Sequence, residues 1–141
     1  MVTRRQIGAG SIATIALTAA RKADAQPAST IALPPPRTAG GKPLMEALKL
    51  RRSTRAYAAS PLPRQLLSDL LWAAFGINRP ASGDRTAPYW RHIMVIDVYV
   101  AMADGVWVYE PKPHELVLHS RADIRAATGR QDFAAIAPVN L

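Results

Sequence analysis

Val95-Ile96-Asp97-Val98-Tyr99-Val100-Ala101, then Asp104-Gly105, then Val106-Trp107-Val108-Tyr109 reads as two apolar strands on either side of a turn. Asp-Gly between apolar runs is a strong short-range hairpin signal. Glu115 to His119 supplies a third short strand, so the stretch forms a β-meander. Upstream the period changes. Leu66, Leu67, Leu70, Leu71, Ala74 and Phe75 recur at helical spacing behind Pro61-Leu62-Pro63. Pro63 suits a first helical turn, and Gly76 is a natural C′ residue. Trp72 goes with that stripe and reads as core packing rather than a cofactor contact. Ile77 to Arg91, rich in Gly, Pro, Asn, Ser and Asp, reads as loop.

Beyond the meander, Arg121 to Thr128 reads as a short helix ended by Gly129, with Asp123 and Arg125 on its solvated face. Gln131 to Ile136 suggests another helix. Ala137-Pro138-Val139-Asn140-Leu141 opens as a strand at which the sequence stops, so the domain is expected to be partial. Residues 26–43 hold Pro34-Pro35-Pro36 and Gly40-Gly41 and read as an extended linker or arm. The domain proper is then 44–141.

The chain has 141 residues, 49% of them hydrophobic, enough for one core, with a formal charge of +8. Residues 1–25 resemble a twin-arginine signal: Arg4-Arg5, a weakly apolar run from Ile7 to Ala20, and Ala23-Asp24-Ala25 as a small-x-small cleavage site. The run is shorter than the ~20 residues a spanning helix needs, so no stable membrane anchor is expected. Cleavage after Ala25 removes Arg4, Arg5, Arg21 and Lys22 against Asp24, leaving +5 of the +8. The expected location is therefore outside the cytoplasm, in the periplasm. The absence of Cys excludes disulfides and thiolate metal sites.

Arg51-Arg52-Ser53-Thr54-Arg55 is the densest chemical feature. Guanidinium can grip two phosphate oxygens at once and a Ser hydroxyl can donate a third bond, so the run suits a phosphate ester. Cations at a helix C-terminus are also favourable in themselves, by about 0.3–1 kcal/mol each. The helix Pro43 to Leu50 places Leu44, Ala47 and Leu48 on one face, through which packing could aim the cluster. His114 and His119 straddle a strand boundary and His92 is distant, a poor metal set. Nucleic-acid binding is suggested by charge alone, with no recognition helix or stacking surface.

Arg51-Arg52-Ser53-Thr54-Arg55-Ala56-Tyr57, Leu70 to Arg79, Arg85-Thr86-Ala87-Pro88, Ile96 to Ala101, Asp104 to Tyr109 and Gln131-Asp132-Phe133 follow one another in an order that resembles the N-terminal half of the nitroreductase family, nearest to its SagB or thiazoline-oxidase branch. The resemblance covers about residues 31 to 141. It implies an α+β fold with an antiparallel-rich sheet flanked by helices, here truncated. It further implies an intertwined homodimer with FMN at the subunit interface, NAD(P)H as electron donor, and a nitro, quinone or azoline-type small molecule as substrate. Arg51 and Ser53 match the positions holding the FMN phosphate and ribityl chain, with Arg52 between them. Arg55 matches the basic position near the N1–C2 edge of the flavin. His92 stands where the family carries a flavin-bonding Asn, and Met94 where it carries Gln. The resemblance requires no acid–base dyad, and the sequence shows no convincing Ser/His/Asp or paired-carboxylate set. The other reading is a truncated, non-catalytic relative serving as an exported interaction module.

Overall fold

The computed structural model describes residues 29–58 and 60–141. In chain order the elements are β1 (Thr30–Ala32), α1 (Leu44–Leu50), α2 (Arg64–Phe75), β2 (Ile77–Arg79), β3 (Asp84–Arg85), β4 (Tyr99–Met102), β5 (Gly105–Glu110), β6 (Glu115–Ser120) and α3 (Phe133–Ile136). The main sheet is antiparallel, ordered β1-β6-β5-β4, and β2 and β3 form a separate two-stranded ribbon. Helices and an antiparallel sheet together give the expected α+β class.

Strand alternation decides which face is inside. Val100 lies opposite Trp107, Trp107 opposite Leu118, Tyr109 opposite Leu116, and Leu116 opposite Ile31. This row forms one face, against which Leu67 and Leu71 of α2 pack together with Leu33. Leu71, Val100 and Leu116 are fully buried. The α2 stripe is narrower than its apolar sequence suggests. Leu67, Ser68, Leu71 and Phe75 point inward, while Leu66 and Leu70 are 46% and 43% exposed.

Gly76 ends α2, though not as a left-handed C′ residue. Its backbone is extended, with φ −72° and ψ 162°. What requires glycine is space, because a Cβ would stand 2.4 Å from Trp72 Cδ1 and 2.6 Å from the Trp72 carbonyl. The indole N–H donates to the Ile77 carbonyl at 3.2 Å, and the Thr86 N–H to the Gly76 carbonyl at 2.9 Å. Trp72 thus packs over the helix end.

Four expectations change. The proposed linker is partly integral: Thr30–Ala32 pairs with β6 and Leu33 enters the core. An apolar Ile-Ala-Leu run beside a free sheet edge pairs despite the prolines after it. The stretch from Ile77 to Arg91 contains the β2–β3 ribbon, because Pro80 to Gly83 make a tight turn with Gly83 at φ +75°. Arg121 to Thr128 is not a regular helix. Only Arg125–Ala127 forms a 3₁₀ turn, since the Asp123 carboxylate takes the Arg125 N–H at 3.1 Å and competes with helical bonding. Gln131 to Ile136 shortens to the single turn α3. Among the described residues no helix is long and apolar enough to cross a membrane.

The turn between β4 and β5 centres on Ala103 and Asp104, and Gly105 already pairs with Met102. Gly105 has φ +143°, and a Cβ there would meet the Ser120 carbonyl at 2.3 Å. Gly105→Ala should therefore combine a disfavoured φ with a backbone clash and lower the unfolding free energy by about 1–3 kcal/mol. Gly83→Ala, also at positive φ but with open space around it, should cost less. Urea midpoints at constant slope test the ordering, and equal costs would refute the clash.

Candidate functional site

Arg51, Arg52, Ser53 and Arg55 lie on an exposed extended segment that leaves the C-terminus of α1. The side chains of Arg51, Arg52 and Ser53 have no hydrogen-bond or ion-pair partner among the described residues. Arg55 rests over the Phe133 ring of α3 at 5.8 Å, and Tyr57 meets the same ring at 6.5 Å between centroids. The segment is thus tied to α3 by aromatic contacts while its first three polar side chains stay free. The α1 face does not pack on this chain: Leu44 is 71% exposed and Leu48 55%. The expected aiming of the cluster by α1 packing is absent within one copy.

His92 closes a 3₁₀ turn, Trp90–His92, in which Arg91 adopts φ 48° and ψ 37°. The side chain of His92 is outside the described part of the structure. The loop around it is well anchored. Arg85 stacks on the Phe75 ring at 4.7 Å, donates from Nη1 to the Phe75 carbonyl at 3.3 Å, and donates from Nε to Met94 Sδ at 3.0 Å. Asp84 accepts from Arg79 Nε at 3.1 Å, from Ser82 Oγ at 2.7 Å and from the Tyr89 hydroxyl. Beside the turn, Phe75, Pro88, Trp90, Ile93, Met94 and Ile96 line an apolar cavity of about 250 Å³. The cavity beside the turn includes none of residues 51–55. The sequence places Phe75 in the α2 stripe and Arg85 in the family-like motif 85–88, but gives no sign that the two meet beside the cavity, because ten residues of ribbon separate them.

A second polar constellation lies further along the inward face of α2. Ser68, fully buried, donates to the Pro34 carbonyl at 2.6 Å, and its Oγ lies 2.7 Å from His114 Nε2. His114 Nδ1 lies 2.8 Å from the Tyr109 hydroxyl. Since Pro34 O can only accept, the Ser68 proton belongs to it, Nε2 carries hydrogen, and Nδ1 receives the tyrosine proton. Burial pushes the Tyr109 phenol up to about 12, opposed by the charge of Arg85, and lowers the His114 imidazole below its usual value. Ser68 has no access to solvent, so this Ser–His contact is not a nucleophile with its base. The sequence hint was a lone Ser inside the apolar α2 stripe.

The pairing of Asp123 with Arg125 is likewise more than a solvated face. Arg125 is only 18% exposed, donates to both Asp123 oxygens and reaches the Ala137 carbonyl at 2.9 Å. These bonds hold the Asp123 carboxyl down to about 2. Among the described residues no three His, Asp or Glu side chains converge as a metal cluster.

Residues 48–141 match the model of the Nitroreductase family. A protein of Methanocaldococcus jannaschii provisionally named a nitroreductase is 34% identical over 108 residues, which cover 70% of this chain and 54% of that protein. A solved structure of a protein from Ralstonia eutropha, also provisionally named a nitroreductase, superposes with a TM-score of 0.72 at 50% identity. That match covers 78% of this chain and 52% of the other. The chain therefore spans about half the length of the relatives it matches.

Ser68→Ala should leave the His114 Nε2–H and the Pro34 carbonyl without their buried partner, at a cost of about 1–3 kcal/mol. Chemical denaturation checks this; a change under a few tenths would show that water takes the place of the hydroxyl.

Proposed function

The chain belongs to the nitroreductase family, and from that membership we propose that it is an FMN-dependent oxidoreductase of the SagB or thiazoline-oxidase type. It takes electrons from NAD(P)H and passes them to a nitro, quinone or azoline-type small molecule. The observation that carries this reading is the free state of Arg51, Arg52 and Ser53, whose donors no carboxylate among the described residues neutralises. Unpaired guanidiniums with a hydroxyl beside them fit a flavin phosphate.

Bound FMN supplies a ring that accepts and returns a hydride. The residues of this chain do the rest. Arg51 and Arg52 bind phosphate oxygens and Ser53 donates to the same group or the ribityl chain. Arg55, held near the ring edge, stabilises negative charge that develops there. Its contact with Phe133 sets the side chain's starting position. The apolar cavity at Phe75, Trp90 and Met94 would exclude water from its contents.

Exposed Leu44, Met45, Leu48 and Leu50 on α1, with Trp90, Val95 and Ile96 beside the cavity, support a homodimer. Apolar surface on that scale needs covering, and a second copy would bring a loop like 85–94 to a segment like 51–55.

Arg51→Ala should weaken FMN binding by about 1.5–3 kcal/mol, read by titration calorimetry. Arg55→Ala should lower the flavin reduction potential more than the affinity. Flat FMN titrations of the wild type would favour the alternative reading, a non-catalytic relative acting as an exported interaction module.

We also propose export to the periplasm on the twin-arginine pattern at Arg4-Arg5; residues 1–28 lie outside the described residues. Replacing both arginines by lysine should leave an unprocessed protein in the cytoplasm, and continued export and cleavage would overturn the proposal.

A further inference from the structure

The N-terminal arm, residues 29–37, is fastened at two places of different chemistry. At its C-terminal end α2 holds it. Gln65 Nε2 donates to the Pro35 carbonyl at 2.9 Å, and Arg37 donates from its backbone N–H and its Nε to the Asp69 carboxylate, each at 2.8 Å. At its N-terminal end the arm runs along β6, and there His114 is the fastening. The Leu33 N–H donates to the His114 carbonyl at 3.2 Å, while the His114 ring holds Ser68, which holds Pro34.

We propose that His114 is an acid-released latch: protonation of its ring frees residues 29–34 from the edge of β6 while Arg37 stays clasped to Asp69.

Hydrogen counting gives the reason. In the closed chain Tyr109 donates to Nδ1, Nε2–H donates to Ser68 Oγ, and Ser68 donates to Pro34 O. Each link has one proton and one acceptor. A second ring proton must appear on Nδ1, facing a phenol whose own proton already occupies that line. Tyr109 would have to turn its hydrogen away from the ring although the residue is almost wholly buried. No carboxylate among the described residues bonds to the ring either. From α2 it faces Ser68 and, one residue on, Asp69, whose oxygens are taken by Arg37 and Gln65. From β5 it faces Tyr109, with Glu110 exposed beyond it. Arg85 of β3 and Lys112 of its own turn line the same groove as His114 and are both cationic. Glu115 follows it on β6, paired across the ladder with Ala32 and Glu110. The arm contributes the Pro34 carbonyl and, already paired, Arg37.

The backbone adds to this. His114 sits at φ +53°, a left-handed conformation that a non-glycine residue keeps only when its surroundings impose it. Loss of the ring contacts removes part of that imposition.

The sign follows from linkage. Burial lowers the folded imidazole below 6.5, so the released state binds the proton more tightly than the latched one. The latch is closed above pH about 6.5 and opens as pH falls through the lowered value. The Asp69 carboxyl, held down to about 2 by Arg37 and Gln65, stays charged across that window. The two fastenings therefore let go in different ranges, and release stops at residue 34. Opening uncovers the β6 edge and the pocket of Leu33 in the core, an adhesive strand edge in mild acid.

Hydrogen exchange on the full chain at about pH 7.5 and about pH 5, expressed as protection factors, tests this. The Leu33 and Leu118 amides, which bond to His114 and Ser29 carbonyls, should lose protection at least about threefold at the lower pH, while α2 amides such as Leu71 hold theirs. In His114→Asn, whose side chain tolerates the left-handed backbone but does not titrate, the arm amides should show no pH step. Should that variant fail to fold, Tyr109→Phe serves, since removing the donor to Nδ1 should move the release to higher pH. An unchanged pH profile in either variant overturns the proposal, as does an NMR titration of His114 at or above the value of a free imidazole. Loss of protection across α2 and the arm together overturns it as well, because that is global acid unfolding.

Discussion

Ser68 occupies the middle of the helix face that closes the core, and its hydroxyl has no contact with solvent. A buried hydroxyl without a partner costs on the order of 1–3 kcal/mol, so the surroundings must supply one. They do so from three other parts of the chain: Pro34 of the arm, His114 of the β5–β6 turn and, through His114, Tyr109 of β5. The apolar contacts of Leu67 and Leu71 bring α2 to the sheet without fixing its position along it. The directional bonds at Ser68 fix that position. Because Tyr109 and Leu116 lie in the sheet row that the buried Leu71 packs against, register, helix placement and arm course are settled at one point.

Away from that point the molecule changes character. In the core row every side chain finds a neighbour within the chain. By contrast, α1 shows its whole apolar face and the loop 89–96 shows Trp90 and Val95. Three unpaired polar side chains, Arg51, Arg52 and Ser53, stand at the end of that face. Cations beside uncovered apolar surface are poorly served by water on both counts: the apolar part gains by burial, and the guanidiniums gain by an anion. Both needs would be met by complementing surface from outside the chain as folded.

The sequence was legible where one period governs a run. The α2 stripe and the β5 and β6 strands were readable because burial of one face leaves a clear 3.6- or 2-residue pattern. The family resemblance was legible for a different reason, the order of several short motifs along the chain. What escaped reading has no period. The arm pairs with β6 on the strength of three residues next to three prolines, and the β2–β3 ribbon is built by Gly83 and a ladder of polar side chains onto Asp84. Gly76 was noticed for the wrong reason: its missing side chain makes room for Trp72 rather than permitting a left-handed turn. The 121–128 segment looked helical by composition, yet the Asp123 carboxylate captured the backbone it should have left free. Candidate site residues could be named one by one, but no periodic pattern relates residues 51–55 to the loop 85–94, so their mutual placement was not legible.

The sheet itself shows how polar side chains stand in for length. Both of its edges are covered by very short pieces: three residues of β1 along β6, and at β4 a lone bridge between Ala101 and Asn140. Pieces this short contribute too few ladder bonds to hold themselves in place against the entropy of a free chain. Each is secured by one side chain acting as a hub. At the β6 edge the hub is His114. At the β4 edge it is Asn140, whose amide donates to the Arg125 and Ala134 carbonyls and to Thr128 Oγ1, with Arg125 in turn clamped by Asp123 and Ala137. The two hubs differ in one property. An amide keeps its donors at every accessible pH, whereas an imidazole gains one in mild acid. An edge fastened by asparagine is therefore held under all conditions, and an edge fastened by histidine is held under some. That difference makes the β1 edge the conditional one.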